Sequence, residues 1–119
     1  MPEEVRTTNE ATGGQKGVKL ERFDLIPVRP LIAVSRLYGF GAEKYAPRNW
    51  EKGYEWSKSF GALQRHAWAF WGGEDLIQQN EAGDDPTAGM PHMAAVAFHA
   101  FALIEWTDTH PELDDRPKP

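Results

Sequence analysis

Ionisable side chains gather where two apolar segments of this chain end and begin. Arg65 and His66 sit in an aromatic run that stops at Gly72-Gly73-Glu74-Asp75, and Pro91-His92 opens a second apolar run that carries His99. Two adjacent carboxylates just past a helix end can hold a hard cation through oxygen, the usual way magnesium is held beside a phosphate. A solvated acidic turn would look the same. His92, in the first turn of a buried helix beside an acidic loop, suits a metal ligand, a phosphate donor or a general base, unless a backbone carbonyl satisfies its ring. His66 shares a stripe with Leu63, Ala67 and Phe70 and so faces a core or a pocket, whereas Arg65 points elsewhere. Glu74, Asp75, His66 and His92 together would make a mixed carboxylate and imidazole site for Mg2+ or Mn2+, although no ligand spacing forces it. His99 lies roughly 10 Å further along the same helix than His92. It reads as a hydrogen-bonded core histidine, not as a second ligand to the same ion.

A second group precedes these. Lys44, Tyr45, Arg48, Asn49 and Trp50 combine cations for phosphate oxygens, an amide for a base edge and aromatic rings for stacking. Together with Arg65 and His66 they form the expected substrate-binding set. The plainer reading is a loop whose Trp50 plugs the core, since tryptophans are mostly core residues. No nucleophile elbow, Walker loop or dinucleotide fingerprint is present, and the serines Ser57 and Ser59 read as helix caps.

The elements that must position these groups are helical. Pro27 and Pro30 break the stretch after Lys19, and Pro30 suits the first turn of a helix. Leu31, Val34, Ser35 and Tyr38 recur at helical spacing to about Tyr38, or through Lys44 if Gly39 and Gly41 are tolerated; Pro47 stops the run. Arg48 to Trp56 reads as a loop. The next helix presents Phe60, Leu63, Ala67, Phe70 and Trp71 on one face and ends at Gly72-Gly73. Asn80 to Gly89 is a loop by composition. The last helix runs from Pro91 to about Trp106, is apolar nearly all round and is the expected centre of the core. No strand pair is expected. The class is all-α: a small bundle of three to four helices, with a flexible segment at 1–17, a helical nucleotide-binding domain at 18–107 and an acidic, Pro-rich tail at 108–119.

Composition narrows the function. A chain of 119 residues reads as one domain and buries roughly two-thirds of its unfolded surface. The absence of cysteine excludes disulfides, thiolate zinc sites and a cysteine nucleophile, and fits a reducing cytoplasm. A net charge of -5 argues against nonspecific duplex binding but not against a small phosphorylated ligand bridged by a metal ion. No segment reads as a signal peptide or a membrane span. Apolar helix faces left over by so few helices favour a homo-oligomer.

The order Lys19-Leu20-Glu21-Arg22-Phe23-Asp24-Leu25-Ile26-Pro27, Tyr38-Gly39-Phe40-Gly41-Ala42-Glu43-Lys44-Tyr45 and Arg48-Asn49-Trp50-Glu51-Lys52-Gly53 resembles a phage-associated family, the N-terminal domain of dATP/dGTP diphosphohydrolases. Gly61-Ala62-Leu63-Gln64-Arg65-His66, Trp71-Gly72-Gly73-Glu74-Asp75 and Pro91-His92-Met93 are similar to it as well, so the likeness spans roughly Gly13 to Trp106. The resemblance implies a MazG-like helical nucleotide pyrophosphohydrolase in the cytoplasm of an infected host. Magnesium would activate water against a purine deoxynucleoside triphosphate, and monophosphate and pyrophosphate would be released. MazG-type enzymes usually carry a Glu-Glu-x-x-Glu cluster on one helix and a Glu-x-x-Asp on the next, and neither is expected here; Glu43, Glu74, Asp75 and Asp24 are the carboxylates near the motifs.

These observations give a leading expectation and two rivals. The first is a metal-dependent pyrophosphohydrolase with Glu74, Asp75 and His92 catalytic. The second is a phage protein that sequesters a nucleotide or a cyclic nucleotide defence signal without cutting it, which the missing Glu-rich motif favours. The third is a helical assembly module that binds no ligand.

Overall fold

The computed structural model describes residues 5–119. Three helices dominate: α1 Val28–Lys44, α2 Trp56–Trp71 and α3 His92–Thr109, with short 3-10 turns at Phe23–Leu25, Asn49–Lys52 and Pro111–Leu113. An antiparallel hairpin precedes them, β1 Val5–Thr8 and β2 Gln15–Val18, with Val5 opposite Val18 and Thr8 opposite Gln15. The protein is therefore mostly helical rather than purely all-α. The expectation of no strand pair fails because Val5, Thr7, Thr8 and Val18 favour extended backbone, and Asn9 builds the turn. The Asn9 side chain accepts from the N–H groups of Ala11 and Thr12 while Gly13 adopts φ +77°. The expected flexible segment falls partly on this hairpin; its first four residues lie outside the described ones.

α1 follows the longer of the two sequence expectations. Pro27 caps it, Pro30 occupies its first turn, and it continues through Gly39 and Gly41 to Lys44. Its buried stripe, Val34 and Leu37, meets Ala94 and Ala95 of α3 together with Ile77 and Met90 of the connecting loop. α2 runs along α3 from His92 to Trp106, and at the distal end Trp56, Ala102 and Trp106 form a second cluster. Trp106 has no exposed surface, and its indole N–H donates to the Trp50 carbonyl at 3.1 Å.

Only two of the five residues of the stripe expected on α2 are inward. Leu63 and Ala67 are half-buried, but Phe60, Phe70 and Trp71 are exposed. The inward set is Trp56, Ser59, Leu63 and His66, because α3 and the tail lie on that side. The capping expectation also fails: α2 has no side-chain cap within its own entry, and Ser59 is fully buried inside the helix. The cap comes from the tail. Asp115 accepts the Ser57 N–H at 2.9 Å and the Ser57 hydroxyl. Residues 110–116 lie across the start of α2: the Trp56 indole donates to the His110 carbonyl and the Arg116 guanidinium sits over the Trp56 ring.

The molecule measures 61 × 37 × 31 Å with a radius of gyration of 18.9 Å. A packed domain of this length has about 13–14 Å. The difference reflects the projecting hairpin and the uncovered helix faces, on which Trp68, Trp71, Phe101 and Ile104 are exposed. Among the described residues, no helix is long and apolar enough to cross a membrane.

Candidate functional site

A cleft of about 1070 Å³ lies between the C-terminal half of α1, the loop that follows it, α3 and the 74–91 connection. One wall is the α1 exit. Tyr45 ends the helix, Arg48 takes a left-handed conformation (φ 64°), and Asn49–Lys52 turn back as a 3-10 helix. That reversal places Lys44, Tyr45, Arg48, Asn49 and Trp50 on the cleft. The Arg48 guanidinium holds Glu51 at 2.6 Å, and both side chains are solvent-accessible. The Lys44 ammonium lies 5.2 Å from the Tyr45 ring centroid. Trp50 meets Tyr38 edge-on at 6.1 Å, and Tyr38 packs on Phe98, so the cleft floor is aromatic.

The opposite wall is imidazole. His66 of α2 and His99 of α3 both line the cleft, with rings nearly parallel and centroids 6.4 Å apart. His99 Nδ1 is 2.9 Å from the hydroxyl of Ser59, which is 3.2 Å from the Tyr54 hydroxyl. Among the described residues neither ring has a partner at Nε2. Since every fully buried side-chain nitrogen or oxygen among the described residues is hydrogen-bonded, both Nε2 atoms keep exposed surface, and both residues line the cleft. Burial holds both histidines below the ordinary imidazole range, His99 to about 4; neighbouring positive charge acts in the same direction on both. Both are neutral at pH 7. The expectation of a hydrogen-bonded His99 agrees with its Ser59 bond, but the residue is half-buried and belongs to the cleft. The spacing of His92 and His99 gave no sign of this, because His66 comes from another helix.

Behind His66 lies a second layer. α2 ends where Gly73 takes φ 104°, a conformation that disfavours any side chain. The Glu74 N–H then turns back to the Ala69 carbonyl at 3.0 Å. His92 enters α3 after a short bridge between Leu76 and Pro91, with its N–H on the Asp75 carbonyl. These two devices bring Glu74 Oε1 to 2.7 Å from His92 Nε2, and His92 Nδ1 to 2.9 Å from His66 Nδ1. His92 is nearly fully buried.

Of the four residues expected at a metal, three thus form a line, Glu74–His92–His66. They do not surround a point: His92 spends both nitrogens within the line. Asp75 is exposed and joins through its backbone carbonyl. Glu74, Asp75 and His92 do not line the cleft, and neither does Arg65, which is exposed. Among the described residues no three His, Asp or Glu side chains converge as a metal site. A Glu-x-x-Asp spacing does occur on α3, at Glu105 and Asp108, but both are exposed.

Among the described residues the carboxylate that does face the cleft is Asp85, in the stretch that composition marks only as a loop. Its Oδ1 accepts the Thr87 N–H and hydroxyl at 2.9 and 2.6 Å, which holds its carboxyl below the usual range; Lys44 and His66 add attraction. Gln79 fixes the loop by accepting the Asp85 N–H at 2.8 Å. An Asp-x-Thr turn is the signal that could have found it.

A family model described as dATP/dGTP diphosphohydrolase, N-terminal, matches residues 10–116. No curated protein and no solved structure matches this chain.

Proposed function

This chain belongs to the dATP/dGTP diphosphohydrolase N-terminal family, and on that premise we propose that its cleft binds a purine deoxynucleoside triphosphate and hydrolyses it to monophosphate and pyrophosphate. The observation that carries the reading is the pairing of walls: aromatic and cationic groups on one side, neutral imidazoles on the other, in one cleft. Tyr38 and Trp50 offer a stacking surface for a base, with the Asn49 amide beside it. Lys44 and Arg48 offer charge for the phosphates, and Arg48 would exchange Glu51 for a phosphate oxygen. His66 would take the proton of the attacking water.

The donor set does not make an all-protein cage for a cation. It does fit magnesium as that ion is commonly held, by one or two carboxylates and the substrate's own phosphates. Asp85 would be that carboxylate, since Thr87 occupies only its Oδ1. When bound, the ion would supply charge neutralisation and a more acidic water. The exposed Trp68, Trp71, Phe101 and Ile104 support assembly with a second copy.

The absence of a convergent carboxylate cluster among the described residues favours a second reading, in which the cleft sequesters its nucleotide intact. Incubation with dNTPs, NTPs and cyclic dinucleotides, in magnesium or in EDTA, separates the two by ion-exchange chromatography. Magnesium-dependent appearance of dAMP or dGMP is the expected result. A ligand that binds in EDTA and returns unchanged after heat denaturation would replace the enzyme with the sequestering protein.

A further inference from the structure

We propose that Glu74 and His92 are positioning residues that fix the tautomer of His66, so that His66 presents an unprotonated Nε2 to the cleft. The inference rests on the hydrolase reading for its purpose, and on the hydrogen-bond line alone for its geometry. An ionised carboxylate can only accept, so the 2.7 Å contact from Glu74 Oε1 requires a proton on His92 Nε2. A neutral His92 then has a lone pair on Nδ1. The 2.9 Å contact between the two Nδ1 atoms needs one proton, which His66 must supply. His66 is left with a lone pair on Nε2, the atom that keeps exposed surface.

The alternative arrangement has a cationic His92 donating to His66 Nδ1, with a proton on His66 Nε2. The two arrangements differ by one proton, and that difference is useful. Water attacking the α-phosphorus would give its proton to His66 Nε2 as the new P–O bond forms and the bond to pyrophosphate breaks. The His66 Nδ1 proton can then pass to His92 Nδ1. The resulting imidazolium lies against the Glu74 carboxylate instead of in the cleft beside the cations of Lys44 and Arg48. The positive charge moves one residue inward, to a paired position, and the line as a whole has gained the one proton that the water gave up. Burial favours a neutral His66, which both arrangements have, so the tautomer itself is what separates them.

A histidine-selective 15N–1H long-range correlation spectrum of the whole protein tests the lock without any substrate. Wild type should show His92 protonated at Nε2 and His66 protonated at Nδ1. Glu74→Gln keeps an acceptor and should keep both tautomers while slowing turnover. Glu74→Ala should scramble both and lower kcat about 100-fold, at the low end for general acid–base catalysis, with KM little changed. A His66 protonated at Nε2 in wild type, or His66 tautomers indifferent to Glu74→Ala, would overturn the proposal. The expected tautomers without hydrolysis of any dNTP would uphold the lock and remove the hydrolase reading. Hydrolysis with the wrong tautomers would do the reverse.

Discussion

The two walls of the cleft are built differently. The cationic wall, from Lys44 to Trp50, is a solvent-exposed reversal whose charges hold each other loosely, Arg48 on Glu51 and Lys44 over Tyr45. The imidazole wall is set on two helices, and each histidine has its Nδ1 committed to a buried or half-buried partner, Ser59 or His92. A surface ion pair contributes about 0–1 kcal/mol and rearranges readily, whereas a buried polar group left without its partner costs about 1–3 kcal/mol. The first wall can adapt to a ligand and the second can hold a geometry. The proposed hydrolase, which would accept a flexible triphosphate and aim a proton acceptor, would use this division.

The most severe way to break the contrast is to remove what ties the walls together. Trp106→Ala would empty the second core cluster and free the Trp50 carbonyl. We expect a loss of about 3–5 kcal/mol in urea unfolding, with the cationic wall disordered even where the fold survives. Ser59→Ala attacks the imidazole wall alone. It should cost about 1–3 kcal/mol, since His99 Nδ1 and the Tyr54 hydroxyl lose a shared partner, and leave ligand affinity nearly intact. A Ser59→Ala protein as stable as wild type would mean that this wall is no more rigid than the other.

Acid provides a milder probe of the same wall. His99 titrates near 4 in the folded protein against 6.5 in the unfolded chain, so between those values the unfolded chain binds more protons. Its contribution to stability is complete above pH 6.5 and is lost as pH falls toward 4. After discounting for its partial exposure, the effect is on the order of 1 kcal/mol. His110 has the opposite sign. Its bonds to the Glu51 carbonyl and the Glu112 carboxylate raise it, so its contribution is present below 6.5 and is lost as pH rises through its folded value. Urea midpoints of wild type and His99→Gln from pH 7 to 4 should converge at low pH; parallel curves would remove His99 as the cause. The smallest effect on stability is expected from Arg48→Ala, within about 0.5 kcal/mol. Its KM for a dNTP should rise about tenfold with kcat steady, and a fall in kcat instead would assign Arg48 to the chemistry.

The helices were legible because their signals are local: Pro30 in the first turn of α1, Gly72-Gly73 after α2, and Pro91 before α3. The family likeness was legible in short blocks such as Arg48-Asn49-Trp50 and Gly73-Glu74-Asp75, and the match over residues 10–116 agrees with it. The hairpin was missed because Thr7, Thr8 and Gln15 are polar and their pairing buries no apolar face. Within the site, residue types were readable and their grouping was not. Glu74 and His92 stand in line with His66 because Gly73 reverses the chain, a backbone event that residue spacing does not report. His99 and Asp85 reach the cleft through the crossing of α2 and α3 and through the Asp85–Thr87 turn, both set by tertiary packing or loop geometry.

The Ser57–Asp115 cap has a consequence for the order in which the chain assembles. As the protein emerges during synthesis, the start of α2 is made long before its cap. The N–H of Ser57 must wait for a carboxylate 58 residues downstream, and Trp56 for the His110 carbonyl. Until then α2 has an unsatisfied amino end and an exposed indole, so its first turn should fray while α1 is already complete. Docking of residues 110–116 is therefore a later step than formation of α1, and it couples this segment to the aromatic floor of the cleft through Trp56, Trp106 and Trp50. A nascent chain stalled just short of Asp115 should hold α1 and α3 yet show an unfinished cleft.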